Sequence, residues 1–92
     1  MENTELIDLL INLYDMGLRL EDLRSANRNS ELSDTRQVVM YLLRATNRYT
    51  TTQIGNLLNR NHSTVIYGAT HAGDMLKLGD KRMNEIYYSL TK

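Results

Sequence analysis

The sequence contains no cysteine and no proline. Without cysteine there are no disulfide staples, no thiolate metal ligands and no cysteine nucleophile, so stability has to come from the core. Without proline, helices can run without a residue that lacks an N–H. No apolar run approaches the roughly 20 residues that span a bilayer. Positions 1 to 14 carry Glu2, Glu5 and Asp8 where a signal peptide would be positive, and the expected location is the cytoplasm with no membrane partner. An excess of either charge is missing as well: 11 Lys and Arg stand against 11 Asp and Glu, which argues against the strongly basic surface of a generic nucleic-acid binder. His62 and His71 lie nine residues apart, not the three or four that bring two ligands to one helical turn, and no carboxylate cluster accompanies them. Neither a metal site, a bound cofactor nor an enzyme is expected.

What is present is 92 residues, 41% of them apolar and 24% charged. That is the composition of an ordinary globular chain and the length of a single domain, 1–92, with room for one modest core. The zero net charge conceals a separation. Residues 1 to 23 hold six acids (Glu2, Glu5, Asp8, Asp15, Glu21, Asp22) against Arg19. Residues 24 to 60 hold six arginines (Arg24, Arg28, Arg36, Arg44, Arg48, Arg60) against Glu31 and Asp34. The basic middle is either a phosphate-facing region or a solvated face balancing an acidic neighbour.

Hydrophobic periodicity predicts an all-α fold of about five to six helices. Leu6, Leu9, Leu10, Leu13 and Tyr14 make an amphipathic helix over 1–16 that Gly17 can terminate. Leu18, Leu20 and Leu23 suit a short helical turn, and residues 25–30 read as a loop. Ser33 and Asp34 are N-cap candidates for a helix to about Thr46, with Val38, Tyr41, Leu42 and Ala45 on its buried stripe and Arg36 and Arg44 off it. Thr50 and Gln53 fit a capping box opening a short helix that buries Ile54, Leu57 and Leu58. After Asn59-Arg-Asn61, a helix capped by Asn61 or His62 carries the stripe Val65, Ala69, Ala72 and Leu76. Gly79 ends it, and Asp80 caps a last helix with Met83, Ile86, Tyr87 and Leu90 inward. Tyr67, Tyr87 and Tyr88 read as boundary or core aromatics, not as stacking platforms for single strands.

Two short helices joined by a tight polar turn, the second opening on small hydroxylated residues, meet the demands of a groove-reading helix-turn-helix. The first turn must be slim enough for a groove roughly 12 Å wide, and its side chains must donate and accept at base edges. His62, Ser63 and Thr64 satisfy both, and the free N–H groups of that turn can hold a phosphate. An ordinary helical hairpin with hydroxyls at its cap is the alternative. The segments Asp34-Thr-Arg-Gln-Val-Val-Met-Tyr-Leu-Leu, Gln53-Ile-Gly-Asn-Leu-Leu and Arg60-Asn-His-Ser-Thr-Val resemble the C-terminal DNA-binding domain of the DnaA replication initiators, over roughly 18–92.

The resemblance implies a Trp-repressor-like helix-turn-helix fold and sequence-specific binding of double-stranded DNA, in replication-initiation control or transcription regulation. It implies major-groove and phosphate contacts from His62, Ser63 and Thr64, with Arg60 and Asn61 opening the same segment. It implies a minor-groove contact from Arg28, basic contacts from Arg36 and Arg44, and a phosphate contact near Thr51. A major-groove helix and a minor-groove arginine can clamp one duplex from two sides. The chain departs from the family's pattern in three ways. Its loop holds Ala26, Asn27, Glu31 and Asp34 where the family is rich in Arg and Lys. Asn61 stands where the family has aspartate, after a turn one residue shorter. There is also no Gly-rich Lys-Ser/Thr loop to bind a nucleotide, so these residues are not expected to load a helicase by themselves.

The rival reading is an interaction module of the same fold without DNA binding. Leu6, Ile7, Leu10, Ile11 and Leu13 put apolar residues on more than one side of the first helix, which suits a partner protein of replication or transcription, or a homodimer.

Overall fold

A computed structural model describes residues 4–92. The chain is all-helical, with six helices among the described residues: α1 (Thr4–Asp15), α2 (Leu20–Arg24), α3 (Ser30–Ala45), α4 (Thr51–Leu58), α5 (His62–Lys77) and α6 (Lys81–Thr91). Two of the acids counted in the first segment, Glu2 and Glu5, fall outside the described side chains.

Three helices end in the same way. At the ends of α1, α4 and α5 the chain turns through the left-handed region at Gly17 (φ 84°), Asn59 (φ 59°) and Gly79 (φ 80°). In each case the next residue's N–H bonds back five positions, Leu18 to Leu13 at 3.1 Å, Arg60 to Gly55 at 2.8 Å and Asp80 to Met75 at 3.0 Å. That bond satisfies a carbonyl the helix leaves open and reverses the chain in two residues. The starts are equally local. Thr50 and Gln53 form the reciprocal capping box, and Asp80 accepts from Met83 N.

α3 is the central element. It packs most extensively on α5 and also touches α2, α4 and α6, so Val38, Val39, Met40 and Leu43 are all buried. The expected stripe of Val38, Tyr41, Leu42 and Ala45 is therefore too narrow and rotated: Ala45 is exposed, and Tyr41 and Leu42 are half-buried. A helix surrounded on several sides has no single apolar face. Its start is also earlier than expected. Asn29, not Ser33 or Asp34, is the N-cap, its Oδ1 accepting from Glu31 N (2.8 Å) and Leu32 N (3.4 Å). Small residues on α5 let the pair approach: a Cβ on Gly68 would lie 2.5 Å from Met40 Sδ and one on Gly73 3.1 Å from the Tyr41 ring.

The stripes on α5 and α6 fall largely as the periodicity predicts, with Val65, Ala69, Ala72, Met83, Ile86 and Leu90 buried and Leu76 and Tyr87 half-buried. α1 closes the far side of the core with Leu9 and Leu13, and its buried Asn12 donates Nδ2 to the Leu90 carbonyl at 2.9 Å. The opposite face of α1 is apolar and uncovered: Ile7 and Ile11 are each 53% exposed and Tyr14 69%. No described helix is long and apolar enough to cross a membrane.

Candidate nucleic-acid interface

The turn between α4 and α5 is three residues, Asn59 to Asn61. It is tight because Gly55 gives way to it: a Cβ at Gly55 would collide with the backbone carbonyl oxygen of Arg60. Asn61 caps α5 by accepting from Thr64 N at 2.9 Å. His62, Ser63 and Thr64 are all exposed, and helix geometry leaves the N–H groups of the first turn without intrahelical acceptors. Behind them Val65 is fully buried and anchors the turn to the core. The result is a protruding helix start that offers an imidazole, two hydroxyls and backbone donors.

Beside this turn lies the α2–α3 loop, residues 25–29. Its backbone climbs by side-chain turns: Ser25 Oγ accepts from Asn27 N (3.3 Å), Asn27 Oδ1 from Asn29 N (2.8 Å), and Asn29 then caps α3. Between loop and turn is an open cleft of about 530 Å³ lined by Arg24, Arg28, Arg36 and Arg60 together with Asn27 and Asn59. No carboxylate lines it. The acid closest in sequence to Arg36, Asp34, is occupied by Arg82 of α6 at 3.1 Å. The local charge is thus positive although the chain is neutral, and such a surface attracts phosphate.

A family model described as "Bacterial dnaA protein helix-turn-helix" matches residues 13–71, from the last turn of α1 into the middle of α5. The chain belongs to this DnaA family. The chromosomal replication initiator protein DnaA of Chloroflexus aurantiacus is 37% identical over 71 residues, 76% of this chain and 15% of that protein. Its counterpart in Picosynechococcus is 36% identical over 66 residues, covering 71% and 15%. That of Tropheryma whipplei is 31% identical over 83 residues, covering 90% and 17%. The chain therefore spans 15% to 17% of the length of these relatives. No solved structure matches.

Placed on the structure, the residues expected from the DnaA motif divide into groups. Asn61, His62, Ser63 and Thr64 form the exposed start of α5, with Arg60 immediately before it, and Arg28 is an exposed side chain across the cleft. Thr51 is the half-buried first residue of α4. Arg44 lines a different cleft, with Thr70, Asp74 and Lys77 of α5. Arg36 is not on a solvated face: only 5% of it is exposed, and its Nε donates to Leu23 O (2.6 Å) and its Nη2 to Asn27 O (2.8 Å) and Ser25 O (3.2 Å). Desolvation, and then the neighbouring charge of Arg60, lower its pKa from the usual value.

Two further residues, neither among the contacts that the resemblance implies, lie against the start of α5. Tyr67, read as a boundary or core aromatic, is 65% exposed and stacks on His71 at 5.8 Å; its spacing of three from Thr64 and four from His71 was the available signal. Gln37 shares a small cleft with Thr64 and Tyr67, and its Oε1 is buried without a partner. The Arg-Gln pair in the sequence marks it.

Proposed function

We propose that this chain binds double-stranded DNA sequence-specifically, with the first turn of α5 in the major groove and Arg28 in the adjacent minor groove. The observation that carries the reading is the exposed, hydroxyl-bearing start of α5 beside an arginine cleft free of carboxylates. His62, Ser63 and Thr64 read base edges and nearby phosphates, as small donors and acceptors on a slim helix end can. Arg28 senses the width and potential of an A·T-rich minor groove. Arg44 and Thr51 take flanking phosphates, and no chemistry is done on the DNA. The relatives named chromosomal replication initiator support a place in replication-initiation control, with transcription regulation as the other use of the same contacts, and either use belongs in the cytoplasm.

A mobility shift on a duplex carrying an initiator-type site, against a scrambled duplex in matched salt, tests this. A shift confined to the first duplex is expected, and equal retardation of both removes the claim of sequence specificity. The uncovered stripe Ile7, Ile11 and Tyr14 favours a second reading, in which α1 mediates contact with another protein or a second copy. Sedimentation of the free chain, and of an Ile7→Ser/Ile11→Ser variant, separates self-association from a monomer.

A further inference from the structure

Arg28 sits on a loop that belongs to no helix, yet three other arginines hold that loop and its flank: Arg60 from the α4–α5 turn, Arg36 from α3, and Arg24 between the end of α2 and α4. Arg24, at the end of α2, reaches across to the last turn of α4, its Nη1 donating to Asn56 O and Leu57 O at 2.8 Å each. Asn59 Nδ2 returns a bond to Arg24 O at 3.3 Å. Arg60, in the turn, donates Nη1 to Leu58 O (3.2 Å) and Asn59 O (3.0 Å), and Nη2 to Ser25 O at 2.7 Å. Arg36 holds the loop from below through Leu23, Ser25 and Asn27. Ser25 O thus accepts from both Arg36 and Arg60.

Every bond in this network runs from a guanidinium or carboxamide to a main-chain carbonyl. Carbonyls at helix ends and in loops have no backbone donors of their own. A planar fork with diverging N–H groups is pre-organised to serve two chain segments at once, whereas an ammonium on a flexible stem fixes no such geometry. Clustering cations without an anion is unfavourable, so their convergence on the loop and its flank calls for a reason beyond packing. The two surfaces they join are the ones assigned to opposite grooves. One sugar–phosphate strand separates those grooves, so the loop and the start of α5 must keep their spacing for both to engage. A loop ordered beforehand avoids the entropy cost of being ordered on binding.

We propose that Arg24, Arg36 and Arg60 are positioning residues that weld the 25–29 loop to the α4–α5 turn, so that minor-groove readout by Arg28 and major-groove readout by α5 are energetically coupled. This rests on the DNA reading above and deepens it. It also moves Arg36 and Arg60 from direct contact with DNA to support.

The test uses the full chain and the variants Arg60→Met, Arg60→Lys and Arg24→Met. In the free protein, amide exchange at Asn27 and Asn29 is expected to quicken by about tenfold or more in Arg60→Met, with Arg60→Lys restoring little of the protection. Unchanged exchange overturns the weld without reference to DNA. On duplexes, Arg60→Met is expected to lose discrimination between narrow and wide minor grooves while keeping the preference for the initiator-type site over a scrambled one. An equal loss on every duplex, with the salt slope reduced by about one, makes Arg60 a phosphate contact and overturns the proposal. A parent protein that prefers no duplex, with exchange nonetheless quickened in the variants, overturns the DNA reading and the coupling but leaves the weld standing. If Arg60→Met does not fold, Arg24→Met carries the same comparison from an exposed position.

Discussion

Thr64 serves the fold and the surface with different atoms. Its N–H is held by Asn61 Oδ1 at 2.9 Å, while its side chain is exposed and free to meet a ligand. His62→Ala and Thr64→Ala are therefore expected to leave the melting temperature nearly unchanged and to weaken specific binding by about 1 to 3 kcal/mol each. Fluorescence anisotropy in matched salt checks this, and parental affinity in both variants would show that α5 is not the reader. Asn61 is subtler. Its Oδ1 is engaged as the cap, which leaves Nδ2, a donor, as the group available to a base. Asn61→Asp keeps the cap, since both residues serve well there, but exchanges that donor for an acceptor suited to the cytosine amino group. Sites selected from a randomised duplex pool by the two proteins should differ at one base pair, with cytosine gaining for the Asp variant. Identical sites would leave Asn61 a cap alone.

At the scale of elements, the turn and the outer helices set the limits of what periodicity can reveal. The stripes of α5 and α6, the capping box of α4 and the glycine stops after α1 and α5 are local, and each is legible in the sequence. α3 is not, because its burial depends on neighbours from four other helices and its start depends on the Asn27 and Asn29 side chains instead of the hydroxyl and carboxylate at Ser33 and Asp34. Gly55 gives the Ile-Gly pair a physical basis. Gly55→Ala should destabilise by about 1 to 3 kcal/mol, because the obstructing atom is main chain and cannot swing aside; a thermal melt followed by circular dichroism measures it, and an unshifted curve would mean the turn relaxes freely. α1 and α6 lie largely outside the matched residues 13–71, yet Asn12 ties one to the other through Leu90 O. Asn12→Ala leaves that buried carbonyl without its donor, and urea unfolding should show a loss of about 1 to 3 kcal/mol at unchanged m-value. A lower m-value instead would mean that α1 has already detached in the folded protein.

Across the whole molecule, charge is sorted into an acidic first segment and a basic middle, and this much was legible from the sequence. What each arginine does was not, since the carbonyls held by Arg36 are brought to it only by the fold, and Arg24 reaches Asn56 and Leu57 more than thirty residues away in the chain. The distinction has a consequence for the response to salt. If all six arginines of residues 24 to 60 neutralised phosphates, the slope of log K against log salt would be about −5, at roughly −0.9 per phosphate on duplex DNA. Three of the six have their donors on main-chain carbonyls, at Arg24, Arg36 and Arg60. Their charge adds to the local potential, but they hold the loop in place of displacing counterions one for one. The acidic α1 segment lowers the long-range potential further. Of the six, Arg28 and Arg44 are the two assigned to DNA, so the expected slope is about −2, measured by anisotropy titrations at four or more salt concentrations on the preferred duplex. Arg28→Ala and Arg44→Ala should each reduce its magnitude by about one. A slope near −5 in the parent protein would show that the three carbonyl-bound arginines turn outward to phosphate when DNA arrives.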